Sequence, residues 1–252
     1  MTPLRTGARA LRAATVLLTR LPVGGFPFSD NEWRWSSAAF PIVGLGIGLT
    51  LSLVWWLASP TGPFVSAIVA YTAAVLVTGA LHEDGLADTA DALGGAKTRE
   101  QIFVILKDSR VGTFGALALM LSVALRVALV ARMGTQAPLG LVASQALARV
   151  PPVWLMAALS YVTPHDARNR DVARADRRQI IVASLVGTVV LAVLLALGQV
   201  TLIRVAVTVA LLAVTGAAAA SYFRARAGGI TGDFLGALEQ VGEIVVLGAL
   251  AI

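Results

Sequence analysis

PFVSAIVAYTAAVLVTGALHEDGLADTADALGG, running from Pro63 to Gly95, decides the fold class. Its apolar part, Pro63 to Leu81, is long enough to cross a bilayer. It then meets four carboxylates, Glu83, Asp84, Asp88 and Asp91, within nine residues. Acidic side chains at a membrane boundary are expensive and usually functional. On a helix, Asp84, Asp88 and Asp91 (i, i+4, i+7) share one face within roughly 60°. Three like charges stacked in this way repel, and a bound divalent cation is the simplest relief. Oxygen donors with little nitrogen or sulfur nearby favour Mg²⁺ over zinc. Glu83 points about 100° away from Asp84 and is either a further ligand or a partner of one. His82, beside the cluster, is either a proton acceptor or structural.

The rest of the chain has the same character. Of 252 residues, 57% are hydrophobic and 13% charged, and the mean hydropathy is +0.81, far from a soluble domain. Further apolar windows run over Ala38–Ala58, Gly115–Met133, Leu139–Tyr161, Gln179–Leu197, Leu202–Phe223 and Phe234–Ile252. The last is interrupted by Glu239, Gln240 and Glu243. The prediction is an all-α, polytopic transmembrane bundle of about six to seven spans. It forms a single membrane domain over residues 1–252. ARALRAATVLLTRLP near the N-terminus has arginines through its apolar core and no small-residue cleavage site after it, so it reads as an interfacial helix rather than a signal peptide. Arg5, Arg9 and Arg12 are expected on its headgroup side. The five tryptophans are expected mostly as interfacial anchors. With no cysteine, disulfides are excluded.

The basic residues orient the chain. With the N-terminus inside, Arg5, Arg9, Arg12, Arg20, Arg34, Lys97, Arg99, Lys107 and Arg110 are cytoplasmic. So are Arg168, Arg170, Arg174, Arg177, Arg178, Arg224 and Arg226, whereas the opposite connections offer only Arg132 and Arg204 at their edges. Every acid also falls in or beside the cytoplasmic segments, which places the chemistry on that face. The formal charge of +6 is accounted for by topology and anionic lipid, with no nucleic-acid partner required.

Two further clusters lie on the same side. Gly94-Gly95 should end the acidic helix, and Thr98 to Gln101 has capping-box spacing for a short cytoplasmic helix through about Asp108. KDSRVGTFG (Lys107–Gly115) follows, with cations, hydroxyls and glycines that suit a phosphate, or else a local salt-bridged corner. RAGGITGDFLGALEQVGE (Arg226–Glu243) opens the last span. There Asp233 is either a helix cap or a ligand, and Glu239 and Glu243 either pair with Arg126 or Arg149 or act directly. Gly44 to Gly48 is a small-residue packing motif.

HEDGLADTADALGG, KDSRVGTFG and GGITGDFLGA, preceded by TRLPV (Thr19–Val23) and FPIVGLGIG (Phe40–Gly48), resemble the cobalamin synthase family, the adenosylcobinamide-GDP ribazoletransferases. The resemblance runs in order over nearly the whole chain. It implies a multi-pass enzyme of the bacterial inner membrane with its active site facing the cytoplasm. The implied reaction is a phosphotransfer late in cobalamin biosynthesis: adenosylcobinamide-GDP and α-ribazole, or its 5′-phosphate, give adenosylcobalamin or its phosphate plus GMP, with Mg²⁺. Carried onto this chain, it implies catalytic roles for Asp84, Asp88, Asp91 and His82, and metal ligands among Glu83, Asp84, Asp88, Asp91 and Asp233. Substrate contacts are implied for Arg20, Lys107, Asp108, Ser109, Arg110 and Gly112, and for Thr231, Gly232, Glu239, Glu243 and Arg149. Small-molecule substrates and membrane lipids are the expected partners, and an oligomer is compatible with the sequence. Asp84-Gly85, Ala87 and the later aspartates are also partly similar to the CDP-alcohol phosphotransferases, but Ala87 precedes Asp88 and the run ends at Asp91. A lipid head group is therefore an alternative substrate. An ion-coupled transporter is a third reading, one that would carry acids through to the far face.

Overall fold

The computed structural model describes residues 3–162 and 174–251. His165, Arg168 and Arg170 lie outside the described residues. The chain forms α1 (Pro3–Leu18), α2 (Asp30–Ser36), α3 (Phe40–Ala58), α4 (Pro63–Thr78), α5 (Leu81–Gly95) and α6 (Arg99–Ile105). There follow α7 (Thr113–Met133), α8 (Ala137–Leu147), α9 (Val150–Ala158), α10 (Arg177–Ala196), α11 (Leu202–Ala227) and α12 (Gly232–Ala251). Among the described residues the only strand-like pairing is an isolated bridge between Tyr161 and Ile230.

Five helical stretches are long and apolar enough to cross a membrane, six if α4 and α5 form one bent span. One of the five, Thr113–Ala158, has 46 residues. At 1.5 Å per residue it would reach about 69 Å, more than twice a hydrocarbon core of about 30 Å. Gly134 breaks it with φ +54, and the chain turns back there. Leu121, Leu185, Leu202 and Val214 stand exposed on α7, α10 and α11. Apolar faces of that extent belong against lipid, not water. The protein is a multi-pass membrane protein.

Two predicted spans are broken, each for a local reason. The window Pro63–Leu81 stops at Thr78 and bends by 90° into α5. Gly79 takes the left-handed conformation (φ +70) and its amide donates back to Val75 O at 2.8 Å; Ala80 follows at φ +61. The acidic helix therefore leaves the direction of α4 instead of continuing it. The window Leu139–Tyr161 divides between α8 and α9 because Pro151 and Pro152 have no N–H to continue the ladder. That break leaves Arg149 at the N-terminus of α9, inside the bundle.

The α3–α8 contact is backbone-close. A Cβ on Gly44 would lie 2.1 Å from Gln145 O, and one on Gly48 would lie 2.7 Å from Val142 Cα, so only glycine lets the helices meet. Ser52 Oγ adds a hydrogen bond to Pro138 O at 2.7 Å. The N-terminal helix is amphipathic but divided: Ala10, Ala13, Ala14 and Leu18 are buried, and Arg9 turns inward to pair with buried Glu32. Arg5 and Arg12 remain exposed. Not all tryptophans anchor at the boundary. Trp55 is buried, and Trp154 donates to Ser184 Oγ at 3.0 Å.

Candidate active site

The acidic helix α5 lies against α12 and α7. Where it crosses the start of α12, Gly85 has room for no side chain, since a Cβ there would sit 2.9 Å from Asp233 O. This contact brings Asp233 to the α5 carboxylates. Thr231, not Asp233, caps α12: its Oγ1 accepts from Phe234 N at 3.2 Å. Asp233 is thereby not needed as the cap, and its Oδ2 accepts from Thr231 Oγ1 at 3.4 Å. Asp84 is exposed and Asp88 half-buried, and Asp88 feels the charges of Asp84, Asp233 and Asp91. Among the described residues no three acidic or histidine side chains converge as a ready-made metal-ligand set. The donors are all carboxylate oxygens with charge facing charge, which fits a hard divalent cation in kind.

Asp91 has a different surrounding from its two neighbours. Its Oδ2 accepts from Gly112 N at 2.7 Å and its Oδ1 from Gly115 N at 2.8 Å. Cβ atoms on Gly112 and Gly115 would fall 2.5 Å and 2.3 Å from the same carboxylate. The carboxylate thus ties α5 to the first turn of α7 and fixes the KDSRVGTFG segment beside it.

Glu83 turns away from the other α5 acids, as its 100° offset requires. It meets Arg126 at 3.5 Å, and Arg126 also contacts Glu243 at 3.2 Å and stacks over Tyr71. Glu243 accepts from Gln145 Nε2, and Arg149 Nη1 donates to Gln145 O and Oε1 at 2.6 Å and 3.0 Å. Arg149 lies 2.8 Å from Glu239 Oε1, while Glu239 Oε2 accepts from Gln240. Glu239 and Glu243 are therefore both paired with buried arginines, as charges inside a membrane bundle must be. Arg126 was legible in the sequence as a lone charge in an apolar helix. Gln145 and Tyr71, which complete the network, resembled ordinary interior residues.

A cavity of about 260 Å³ opens beside the carboxylates. Asp84, Asp233 and His82 line one part, Arg149 and Glu239 another, and Leu17, Phe40 and Met156 form apolar wall. These positions come from the N-terminal helix and two separate apolar windows, so no local motif marked them. Gly232 also lines the cavity. Arg20 lies across the α4–α5 corner, its amide donating to Val77 O at 2.8 Å and its guanidinium against Gly79. Lys107 and Ser109 are exposed. Arg110 is clasped by Asp108, donating from Nε at 2.9 Å and from Nη2 at 2.6 Å. These hydrogen bonds, together with the Arg110 amide, hold the Asp108 carboxyl down at about 2. Arg226 closes the far end of α5 by donating to Ala96 O at 2.8 Å and Leu93 O at 3.2 Å.

Carboxylates grouped at one end of a helical membrane bundle, beside a partly apolar cavity, are a frame for transfer chemistry on an anionic substrate. Comparison with known proteins decides which. The model of the cobalamin-5-phosphate synthase family matches residues 10–251. The chain belongs to this family. A protein of Bradyrhizobium diazoefficiens named adenosylcobinamide-GDP ribazoletransferase is 39% identical over 94% of this chain and 91% of its own length. One of the same name from Ralstonia nicotianae is 37% identical over 99% and 97%, and one from Shewanella frigidimarina is 37% identical over 92% and 89%. No solved structure matches the chain. Family membership favours the corrinoid reading over the lipid phosphotransferase and the transporter.

Proposed function

We propose that this chain is an adenosylcobinamide-GDP ribazoletransferase, joining α-ribazole or its 5′-phosphate to adenosylcobinamide-GDP with release of GMP. The observation that carries the reading is the nearly end-to-end similarity to relatives of that name, and the acidic site beside a cavity supports it. In the transfer a ribose hydroxyl of the acceptor attacks the phosphorus bearing the corrinoid. A new P–O bond forms, the pyrophosphate P–O bond breaks, and GMP leaves with the bridging oxygen. The hydroxyl proton passes to a carboxylate at the cavity rim. Asp84, Asp88 and Asp233 are the residues that would hold Mg²⁺, which when bound neutralises the diphosphate. Asp91 keeps the KDSRVGTFG segment in register with them. The exposed cations Lys107 and Arg110 bind phosphate oxygens, Arg110 by exchanging Asp108 for substrate.

The site faces the cytoplasm of a bacterial inner membrane, in keeping with the basic-residue map. There a guanine nucleotide end stays in water while the corrin rests near lipid. α1 lies in the headgroup plane, its exposed Arg5 and Arg12 toward anionic lipid. Purified protein in lipid nanodiscs, given adenosylcobinamide-GDP, α-ribazole and Mg²⁺, should release GMP and form the ribazole-linked corrinoid. Absence of GMP release, or transfer from a CDP-alcohol instead, would refute the assignment.

A further inference from the structure

The cavity beside the carboxylates has two features that the transfer chemistry leaves unexplained. Arg149 and Glu239, each 2% exposed at the side chain, line it, yet Arg149 Nε has no hydrogen-bond partner and neither has Glu239 Oε1. The 2.8 Å approach between Arg149 Nη1 and Glu239 Oε1 balances charge without an aligned hydrogen bond. A buried donor and a buried acceptor are therefore left unpaired just behind the cavity lining, an arrangement that costs stability unless a partner reaches them. The second feature is the apolar part of the lining, to which Leu17, Leu18, Phe40, Pro152 and Met156 contribute.

We propose that this cavity is the seat of the acceptor nucleoside, taking its bicyclic aromatic base against the apolar wall and its polar atoms against Arg149 and Glu239. The inference rests on the transferase reading and adds which of the two substrates occupies the cavity. Size decides between them. At about 260 Å³ the space falls just below the range of about 300 to 1,000 Å³ usual for a ligand site. A nucleoside fits such a space; a corrin macrocycle carrying a nucleotide does not. Chemistry agrees with size. A benzimidazole has one unsubstituted ring nitrogen, an acceptor suited to a guanidinium such as that of Arg149 in the lining, and a flat apolar body suited to the apolar lining residues. The ribose hydroxyls supply donors suited to the carboxylates of the lining, Glu239 among them. Asp84 and Asp233 line the same cavity, so a nucleoside seated there presents its sugar to the carboxylates. The corrinoid then brings its diphosphate from outside.

The test is equilibrium dialysis of α-ribazole alone against the full chain in nanodiscs, without corrinoid or Mg²⁺. Met156→Trp and Leu17→Trp fill the cavity from two sides while leaving the ion pairs intact. Each should weaken α-ribazole binding by about tenfold or more and raise its KM, with adenosylcobinamide-GDP binding unchanged. Glu239→Gln, which keeps the shape and removes the charge, should weaken α-ribazole more than free dimethylbenzimidazole, which lacks the ribose. Unchanged α-ribazole affinity in both tryptophan variants, each shown to be folded by circular dichroism, would overturn the proposal. So would loss of corrinoid binding in its place. Either result leaves the transferase reading standing if the wild type still releases GMP. A wild type that binds α-ribazole in the cavity and releases no GMP would sink that reading alone.

Discussion

Asp91→Asn separates a ligand from a tether. In the native protein both carboxylate oxygens are engaged, by Gly112 N at 2.7 Å and by the buried Gly115 N at 2.8 Å. Hydrogen bonds to a charged group contribute about 1.5 to 3 kcal/mol each. Asparagine retains one acceptor oxygen but turns its amide N–H₂ toward the other backbone N–H, so one bond is lost and the survivor loses its charge. The expected cost is about 2 to 4 kcal/mol, and more for Asp91→Ala, which orphans both N–H groups. Because Asp91 is only 9% exposed and Gly115 is buried while Gly112 is exposed, water can repair the loss at Gly112 N but not at Gly115 N. The consequence for function is indirect: the first turn of α7 comes loose from α5, and the KDSRVGTFG segment moves with it. Thermal unfolding in detergent should show a clear drop in Tm for Asp91→Asn. Turnover should fall and excess Mg²⁺ should not restore it. Asp84→Asn and Asp88→Asn, which relieve like-charge repulsion, should lose turnover while unfolding near the wild-type temperature. Wild-type Tm for Asp91→Asn, together with rescue by high Mg²⁺, would refute the tether and make Asp91 a ligand.

Gly44→Ala places a methyl 2.1 Å from Gln145 O, so the α3–α8 pair must part; overpacking of about 1 to 3 kcal/mol should appear as a lowered Tm and less folded protein in the membrane. Asp108 has a folded-state pKa of about 2, below its unfolded value of about 3.9; its contact with Arg110 is therefore complete above that value and lost as pH falls toward 2. Rate profiles between about pH 6 and 9 should show no inflection removed by Asp108→Asn, while Arg110→Lys should raise the KM for adenosylcobinamide-GDP because lysine cannot copy the fork. For topology, single cysteines replacing the exposed Lys97 and Glu100 should resist an impermeant maleimide added to intact cells, whereas those replacing Thr61 and Thr135 should react. Ala96, beside Lys97, and Ala227, at the end of α11, are buried and would give no label on either side.

The sequence by itself determined the helical membrane class, most of the spans and the motifs that carry the family. Runs of about twenty apolar residues have one stable solution in lipid, because every backbone group must be satisfied within the segment. That is why α7, α10, α11 and α12 fall close to their predicted windows. The acidic run, the capping box at Thr98 and the in-order motifs were equally local, and they carried the family resemblance. What tertiary structure decided was direction and partnership. A left-handed Gly79 turned α5 through 90° from α4, and two prolines broke α8 from α9 at Arg149, although hydropathy is continuous across both. Asp84, Asp88 and Asp91 are equivalent on a helical wheel, yet packing against α7 gave Asp91 two backbone donors, and packing against α12 brought Asp233 to the other two. The cavity wall draws on α1, α3 and α9, far apart in the chain. Periodicity reports which face of a helix is apolar; only the packed bundle fixes which neighbour that face meets.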